Sequence, residues 1–377
     1  MIYLFTGFIF IFLLCRFVLP LPLSPRQKMA AGALLFVLSQ QNAFIRSFSV
    51  SMASPEVAPS LLVFMGASTA ALLFLAILVL LRDIVSLILL AGRRINKRMN
   101  PVFSPGRRGI LLAGLSLAPA VYSVNQALAT PRIRSLEARL PGLPGDLDGL
   151  TLVHVSDTHI SRLFQRDWVS ALVEKINALN PDIIALTGDI VDGLPLQRME
   201  SMTPLRALRA RWGVFACAGN HEYYADYERW MRVFPSLGIN MLLNRHEVLR
   251  LNGQEVVIAG ITDIAAQRYG LPLPDSAAAL AGAPEKALRI MLSHRPSEAD
   301  DCARAGIDLQ LSGHTHGGQI VGINQVVAEF NRGYLHGWYQ VDNMMLYVTS
   351  GAGLWNGFPV RLGVASEIAA ITLRGAA

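Results

Sequence analysis

The pattern of apolar and polar positions changes near residue 130 of this 377-residue chain. Before that point, apolar runs extend to about 20 residues, the length that a bilayer crossing requires. After it, short apolar runs alternate with amphipathic stretches, which is typical of buried strands and the helices between them. The sequence therefore predicts a membrane region over residues 1–130, a linker over 131–149 and a globular domain over 150–377.

The membrane region contains segments that we interpret as about four transmembrane helices: residues 2–19, 29–44, 61–81 and 109–128. The second is the weakest, because the polar residues 39–42 dilute it. Basic residues, Lys97 and Arg98 among them, concentrate between the third and fourth segments. Since positively charged loops stay cytoplasmic, four spans place the globular domain on the periplasmic or extracellular side of the inner (plasma) membrane. Loss of the second span would invert this topology.

An arginine pair, Arg107-Arg108, precedes the fourth apolar segment. This arrangement resembles a twin-arginine export signal, which would suit a domain that folds and loads metal before export. The simpler interpretation is that the pair belongs to the cytoplasmic positive cluster. Both interpretations remain open at the level of the sequence.

The net charge of +6 comes from the membrane region, whereas residues 151–377 are slightly acidic and have no stripe of Lys and Arg. This distribution argues against a nucleic-acid partner. The three cysteines form neither a zinc-finger spacing nor a disulfide framework. Any metal chemistry must therefore come from oxygen and nitrogen ligands.

Such ligands occur in five polar islands, each directly after an apolar run that predicts a strand. The islands are Asp157-Thr158-His159, Gly188-Asp189, Gly219-Asn220-His221-Glu222, Ser293-His294 and Gly313-His314-Thr315-His316. The alternation of strands and helices predicts an α/β sheet core, and polar groups collect beyond the carboxyl ends of such strands. The islands hold enough oxygen and nitrogen ligands for two divalent ions that share a carboxylate.

The ordered series DxH, GDxxD, GNHE, SH and GHTH resembles the calcineurin-like metallophosphoesterases. The tail resembles their membrane-anchored bacterial branch, with Gly317-Gly318-Gln319, Gly351-Ala352-Gly353 and Pro359-Val360-Arg361. The resemblance implies a four-layer α/β/β/α sandwich, in which two mixed sheets face each other between helices. An all-α transmembrane region would precede it.

The resemblance also assigns roles to individual residues of a dinuclear-metal phosphoric ester hydrolase. One ion would be held by Asp157, His159 and His316, the other by Asn220, His294 and His314, and both by Asp189. A hydroxide bridging the two ions would attack phosphorus. Manganese, iron and zinc all suit such ligands, and the sequence does not choose among them.

Three further residues receive roles from the motifs and their chemistry. The resemblance makes His221 the general acid that protonates the leaving group, and Asp192 the carboxylate that orients it. Arg361 is a candidate for binding substrate, because a guanidinium matches the geometry of a phosphate group.

The expected function is therefore membrane-anchored, metal-dependent hydrolysis of a phosphoester or phosphodiester. The membrane region favours a lipid-linked substrate, so the expected partners are that substrate and the bilayer. Two alternatives stay open. One is hydrolysis of the pyrophosphate of UDP-2,3-diacylglucosamine in lipid A synthesis, which a cytoplasmic residue 377 would favour. The other is a metal-binding receptor or transporter domain without enzymatic activity, which metal loading without hydrolysis would favour.

Overall fold

The computed structural model describes residues 2–47, 55–95, 105–322 and 324–376. Its chain forms two compact units, which are considered separately. The first contains the described residues up to 126 together with Gly357–Val360, and the second contains residues 127–356 and 361–376.

The first unit is helical. Its helices are α1 (Ile2–Leu13), α2 (Pro25–Ser47), α3 (Pro59–Ile95) and α4 (Pro105–Leu128), and a short π-helical turn, Leu14–Val18, extends α1. Among the described residues, two stretches are long and apolar enough to cross a membrane, Pro59–Ala91 and Gly109–Leu128, with mean hydropathies of 2.7 and 1.3. The four-span topology stays a prediction.

Polar side chains within the first unit are paired with one another. The amide of Gln41, in the weakest predicted span, donates to the hydroxyls of Ser68 and Thr69 on α3. Arg16 lies 2.8 Å from Asp83. Lys97 and Arg98 lie outside the described residues, and the export-signal interpretation of the arginine pair at the start of α4 also stays a prediction.

The second unit contains two six-stranded mixed sheets, counted over the residues that the structure describes. The first sheet has the order β1-β12-β2-β3-β4-β5, and the second has the order β10-β11-β9-β8-β7-β6. Their strands are β1 (Arg132–Leu140), β2 (Thr151–Val155), β3 (Ile183–Thr187), β4 (Val214–Cys217), β5 (Asn240–Met241), β6 (Arg245–Leu251), β7 (Gln254–Gly260), β8 (Leu288–Leu292), β9 (Leu309–Ser312), β10 (Gly337–Val341), β11 (Met344–Val348) and β12 (Glu367–Gly375).

Helices cover the outer faces of both sheets. The first sheet packs against α5 (Arg166–Asn177), α6 (Pro195–Met202), α7 (Asn220–Tyr224) and α8 (Tyr227–Ser236), and the second packs against α9 (Ser276–Leu280) and α10 (Ala299–Arg304). The last helix, α11 (Asn324–Glu329), contacts the turn His316–Gly318. Between the sheets, Leu152 and Phe215 of the first are buried in one cluster with Ile290 and Leu309 of the second. Because each sheet is apolar on both faces, it is covered on both sides, which confirms the predicted α/β/β/α fold class.

The predicted linker is wrong over residues 132–140, which form β1 at the edge of the first sheet. This strand pairs in parallel with β12, from Arg132 opposite Glu367 to Leu140 opposite Gly375. Its sequence, RIRSLEARL, buries Ala138 and Leu140 and leaves the intervening residues exposed. Such alternation is the pattern of a half-buried strand. The segment that connects β1 to β2 begins only after Leu140, where the glycines and prolines of the predicted linker lie.

Candidate metal centre

The two sheets bring all five polar islands to one place. In the first sheet, β2, β3 and β4 are parallel neighbours, so the segments that follow them leave from the same edge. In the second sheet, β8 and β9 are also parallel neighbours. Side chains beyond their carboxyl ends approach those of the first sheet, and Asp157 Oδ2 accepts the backbone N–H of His314 at 3.0 Å.

One group of potential ligands consists of Asp157, His159 and His316, all of them buried. His316 Nε2 lies 3.3 Å from His159 Nε2 and 3.4 Å from Asp157 Oδ1. Ligand atoms that bind one ion at about 2.1 Å lie about 3.0–3.4 Å from each other. His159 Nε2 and Asp157 Oδ1 are 3.9 Å apart, which is wider but still below the roughly 4.2 Å that separates ligands on opposite sides of one ion. The three side chains therefore fit a single divalent ion.

A second group surrounds His294. Its Nε2 atom lies 3.2 Å from each of three atoms, Asp189 Oδ2, Asn220 Oδ1 and His314 Nδ1. Asp189 Oδ2 is also 3.7 Å from His159 Nε2 in the first group, so this carboxylate faces both sets of ligands. The donor set is made of carboxylate, amide and imidazole groups, which suits a divalent ion of intermediate hardness.

Two of the imidazoles are held in the form that binds metals. Burial, helped by nearby Arg295, holds the pKa of His314 well below its ordinary value. Burial and the neighbouring His159 do the same for the pKa of His316. A neutral imidazole has a free nitrogen lone pair, which is the form that coordinates metal.

The backbone at this centre is strained. Five of the potential ligands have φ in the left-handed region, although none is glycine: Asp157 at 55°, His159 at 42°, Asp189 at 49°, His314 at 69° and His316 at 50°. Each such residue costs on the order of 1 kcal/mol or more, and such costs persist where function needs the geometry. The strain supports a functional centre at these positions.

Asp192 lies directly behind two histidines. Its Oδ1 atom is 3.0 Å from Nδ1 of His159 and 2.7 Å from Nδ1 of His221. These contacts fix both rings and leave each Nε2 atom turned towards the centre. Burial disfavours the charged form of His221, but Asp189 and Asp192 outweigh it and raise the pKa of His221 to about 9.

Glu222 connects the loop that follows β3 with the loop that follows β4. Its carboxylate, which is fully buried, accepts the backbone N–H groups of Asp189, Ile190, Val191 and Gly219 at 2.7–3.2 Å. Burial and the charge of Asp189 raise its pKa to about 7. Sequence reasoning quoted this residue within a motif but gave it no role.

Comparison with known proteins then decides the family. The model of the calcineurin-like phosphoesterase domain matches residues 150–318. The metallophosphoesterase YkuE of Bacillus subtilis is 31% identical over 284 residues, covering 72% of this chain and 96% of its own. The chain belongs to the calcineurin-like phosphoesterase family. Membership makes it a phosphoester hydrolase and confirms the resemblance seen in the motifs.

Other relatives of this phosphoesterase extend the picture. A metallophosphoesterase of Campylobacter jejuni is 32% identical over 263 residues, covering 69% of this chain and 68% of its own. A zebrafish transmembrane protein with a metallophosphoesterase domain is 34% identical over 279 residues, which is 72% of this chain but only 63% of the relative's length. That name, together with the two long apolar helices, indicates that this phosphoesterase is a membrane protein.

Solved structures also match the phosphoesterase. The NAD nucleotidase of Haemophilus influenzae matches with a TM-score of 0.38 at 16% identity, covering 54% of this chain and 45% of its own. The calcineurin-like phosphoesterase YfkN of Bacillus subtilis matches with a TM-score of 0.36 at 16% identity, covering 54% of this chain and 82% of its own.

The structure adds Arg295, a residue that sequence reasoning missed. Its guanidinium lies at the edge of the second ligand group, 2.7 Å from His314 Nε2 and 3.1 Å from Asn220 Oδ1. Asp263, which follows β7, accepts from Arg295 Nε at 2.8 Å. The available signal was its place directly after His294, next to the polar island Ser293-His294 that follows β8.

Arg361 lies deeper in this phosphoesterase than its predicted role requires. It is fully buried, and its Nη2 donates to the carbonyl oxygens of Ser350, Gly351 and Gly353. Gly353 in turn donates its N–H to the carbonyl of Asp157 at 2.8 Å. Direct contact between Arg361 and substrate stays untested, and these contacts favour a residue that shapes the loop behind Asp157.

Proposed function

We propose that this protein is a membrane-anchored phosphoesterase that hydrolyses a lipid-linked phosphoester with two divalent ions. The observation that carries the proposal is the meeting of two ligand groups, around His316 and around His294, with the carboxylate of Asp189 turned towards both. The spacings within the two groups are 3.2–3.4 Å, apart from 3.9 Å between His159 and Asp157, and they support coordination of one ion by each group. The ligands would be Asp157, His159, Asp189, Asn220, His294, His314 and His316.

Divalent ions held there would activate water for attack on phosphorus and neutralise charge on the phosphoryl oxygens. A side chain of the protein would protonate the leaving group. Nδ1 of His221 is hydrogen-bonded to Asp192, so its Nε2 is the nitrogen that would donate a proton to the departing oxygen. Its side chain is 12% exposed, so it lies at the opening of the centre, where a substrate would enter.

Arg295 is our candidate for contact with the substrate phosphate. It is the guanidinium that lies beside Asn220 and His314, and the pair with Asp263 limits the positions that it can adopt. An arginine fork matches two phosphate oxygens. The side chain of Arg295 is 22% exposed, whereas Arg361 is fully buried and bonded to backbone carbonyl groups.

Membrane anchoring supports a lipid-linked substrate. Among the described residues, Pro59–Ala91 and Gly109–Leu128 are long and apolar enough to cross a membrane. A catalytic unit tethered by such helices stays at the bilayer, where a lipid-linked phosphoester is concentrated.

The side of the membrane is part of the proposal. The positive-inside rule applied to four spans places the catalytic unit on the periplasmic or extracellular face. Accessibility of a cysteine introduced at Ala377 to a membrane-impermeant reagent in intact cells tests this topology. Labelling only after lysis would invert it and would favour the UDP-2,3-diacylglucosamine alternative.

The function is tested by loading the purified full chain with manganese, iron or zinc separately and screening phosphomonoesters, phosphodiesters, nucleotide sugars and phospholipids. We expect metal-dependent hydrolysis, with a phospholipid or another lipid-linked phosphoester as the best substrate. Asp189→Asn should abolish turnover, whereas Asp226→Asn, outside the proposed ligand set, should not. Stable metal binding without hydrolysis of any phosphoester would favour a receptor or transporter domain instead.

A further inference from the structure

A second pocket lies outside the metal centre in the second unit. Its volume is about 530 Å³, and β1, the start of β12 and the segment after His316 form its walls. The residues that line it include Arg132 and Arg134 on β1, His336, and Glu367 on β12. The mechanism proposed above uses none of these four residues.

The pocket has the charge of an anion-binding site. Arg132 and Arg134 are exposed and, two residues apart on one strand, point to the same side. Arg132 has no ion pair or hydrogen bond through its side chain among the described residues. Arg134 lies 2.9 Å from His336 Nε2 and 3.4 Å from Glu367 Oε2.

The carboxylate in the pocket neutralises only part of this charge. Glu367 is 5% exposed, and its Oε1 accepts hydrogen bonds from the hydroxyls of Tyr347 and Thr349 at 2.7 and 2.8 Å. Its Oε2 pairs with Arg134 at 3.4 Å. The two arginines and the one carboxylate leave a net positive charge in the pocket, with Arg132 facing its occupant.

Apolar side chains are exposed in the segment that contributes Asn324 to the pocket lining. Val321, Val326 and Phe330 are 63%, 61% and 79% exposed. Val326 and Phe330 are four residues apart, which places them on one face of the turn that begins with α11. Exposed apolar side chains combined with basic residues are typical of a surface that binds at a membrane interface.

Chain connectivity keeps this pocket near the bilayer. The apolar stretch Gly109–Leu128 ends four residues before Arg132, and four residues span at most about 14 Å. Within the second unit, Lys175 Nζ donates to the Thr130 hydroxyl and to the Pro131 carbonyl at 2.9 and 3.0 Å, which holds these two residues against α5. Arg132 and Arg134 therefore lie within reach of lipid headgroups.

We infer that this pocket binds the phosphate headgroup of an anionic membrane lipid, with Arg132 and Arg134 as its ligands and the exposed apolar residues against the bilayer. Gly317, directly after His316, also lines the pocket. A lipid bound there would hold the catalytic unit against the membrane beside its metal centre. The inference requires no hydrolysis and stands apart from the proposed reaction.

The test is native mass spectrometry of the full chain in mild detergent, with phosphatidylglycerol and phosphatidylcholine in competition. Wild type should prefer phosphatidylglycerol, and Arg132→Gln with Arg134→Gln should reduce that preference roughly 10- to 30-fold, since each interfacial arginine is worth about 1 kcal/mol. The matched control is Arg139→Gln with Arg250→Gln, two exposed arginines outside the pocket, which should behave as wild type.

Two further arms keep the outcome interpretable. Lysine in place of both pocket arginines keeps the charge and should keep the lipid preference, which separates loss of binding from loss of folding. Glycerol phosphate and inorganic phosphate test for a soluble ligand. No preference in wild type, an equal loss in the control pair, or tight binding of free phosphate without lipid would each overturn the inference.

Discussion

Replacing Glu222 by glutamine should destabilise the two loops that follow β3 and β4 and carry Asp189 and Asn220. In the structure, Oε1 accepts the N–H groups of Ile190 and Val191, and Oε2 accepts those of Asp189 and Gly219. Glutamine keeps one acceptor oxygen and turns an NH₂ group towards the other pair. Two buried N–H groups would then lose their partner at the point where the proposed bridging carboxylate begins.

The size of the effect follows from those two groups. A buried donor left without an acceptor costs about 1–3 kcal/mol, so the pair should cost about 2–6 kcal/mol. For a domain of this size, that corresponds to a fall in Tm on the order of 5–20 °C. All five tryptophans lie between residues 150 and 377. Their fluorescence during heating of the full chain therefore reports on the catalytic unit.

The assay compares Glu222→Gln with Glu228→Gln, an exposed residue on α8 that undergoes the same change of charge. Both are heated above pH 7 with manganese bound, because burial and the charge of Asp189 raise the Glu222 pKa to about 7 and the ion offsets that charge. We expect a lower midpoint and weaker manganese binding only for Glu222→Gln. If the two variants melt together and bind manganese equally, the carboxylate does not organise the loops.

Three other substitutions separate the remaining roles. His221→Ala should keep its metal and slow hydrolysis of esters with poor leaving groups by about 10²–10⁴-fold, with a smaller loss for nitrophenyl esters. Arg295→Gln should raise KM for a phosphodiester about tenfold or more at unchanged metal content, because a charged hydrogen bond to phosphate is lost. Burial opposes the charged form of Glu367, but hydrogen bonds from His336, Tyr347 and Thr349 bring its pKa to about 2. Glu367→Gln should therefore remove about 3 kcal/mol of stability at neutral pH, measured by denaturant unfolding.

Each of these has a control and a contrary outcome. Loss of metal from His221→Ala would show that this histidine is a ligand. An unchanged KM in Arg295→Gln, relative to exposed Arg229→Gln, would place substrate phosphate elsewhere. For Glu367 the folded pKa is depressed, so its contribution is present above its ordinary pKa and disappears as pH falls towards about 2. If Glu367→Gln lost stability at low pH as steeply as the wild type does, that assignment would be contradicted.

Much of the catalytic unit could be predicted from the sequence, because its signals are local. Strands such as β2 and β3 are continuous apolar runs, and each is followed at once by its polar island. The polar islands meet at one site because neighbouring parallel strands have their carboxyl ends at the same edge of the sheet. The sandwich and the gathering of the islands followed from that rule and from the family resemblance.

The rest depended on contacts distant in sequence. The pairing of β1 depends on β12, which lies more than 200 residues away in the sequence. The many polar residues of β1 suggested a linker instead. Arg295 acquires a role only through Asp263 and Asn220, which other strands supply.

The most direct test of the dinuclear centre is a manganese titration of the metal-stripped full chain, with hydrolysis of bis(p-nitrophenyl) phosphate followed at each addition. We predict no turnover without metal, a rise to maximal turnover as two ions bind per chain, and neither full loading nor turnover in Asp189→Asn. Full turnover without metal, or wild-type turnover in Asp189→Asn, would contradict it.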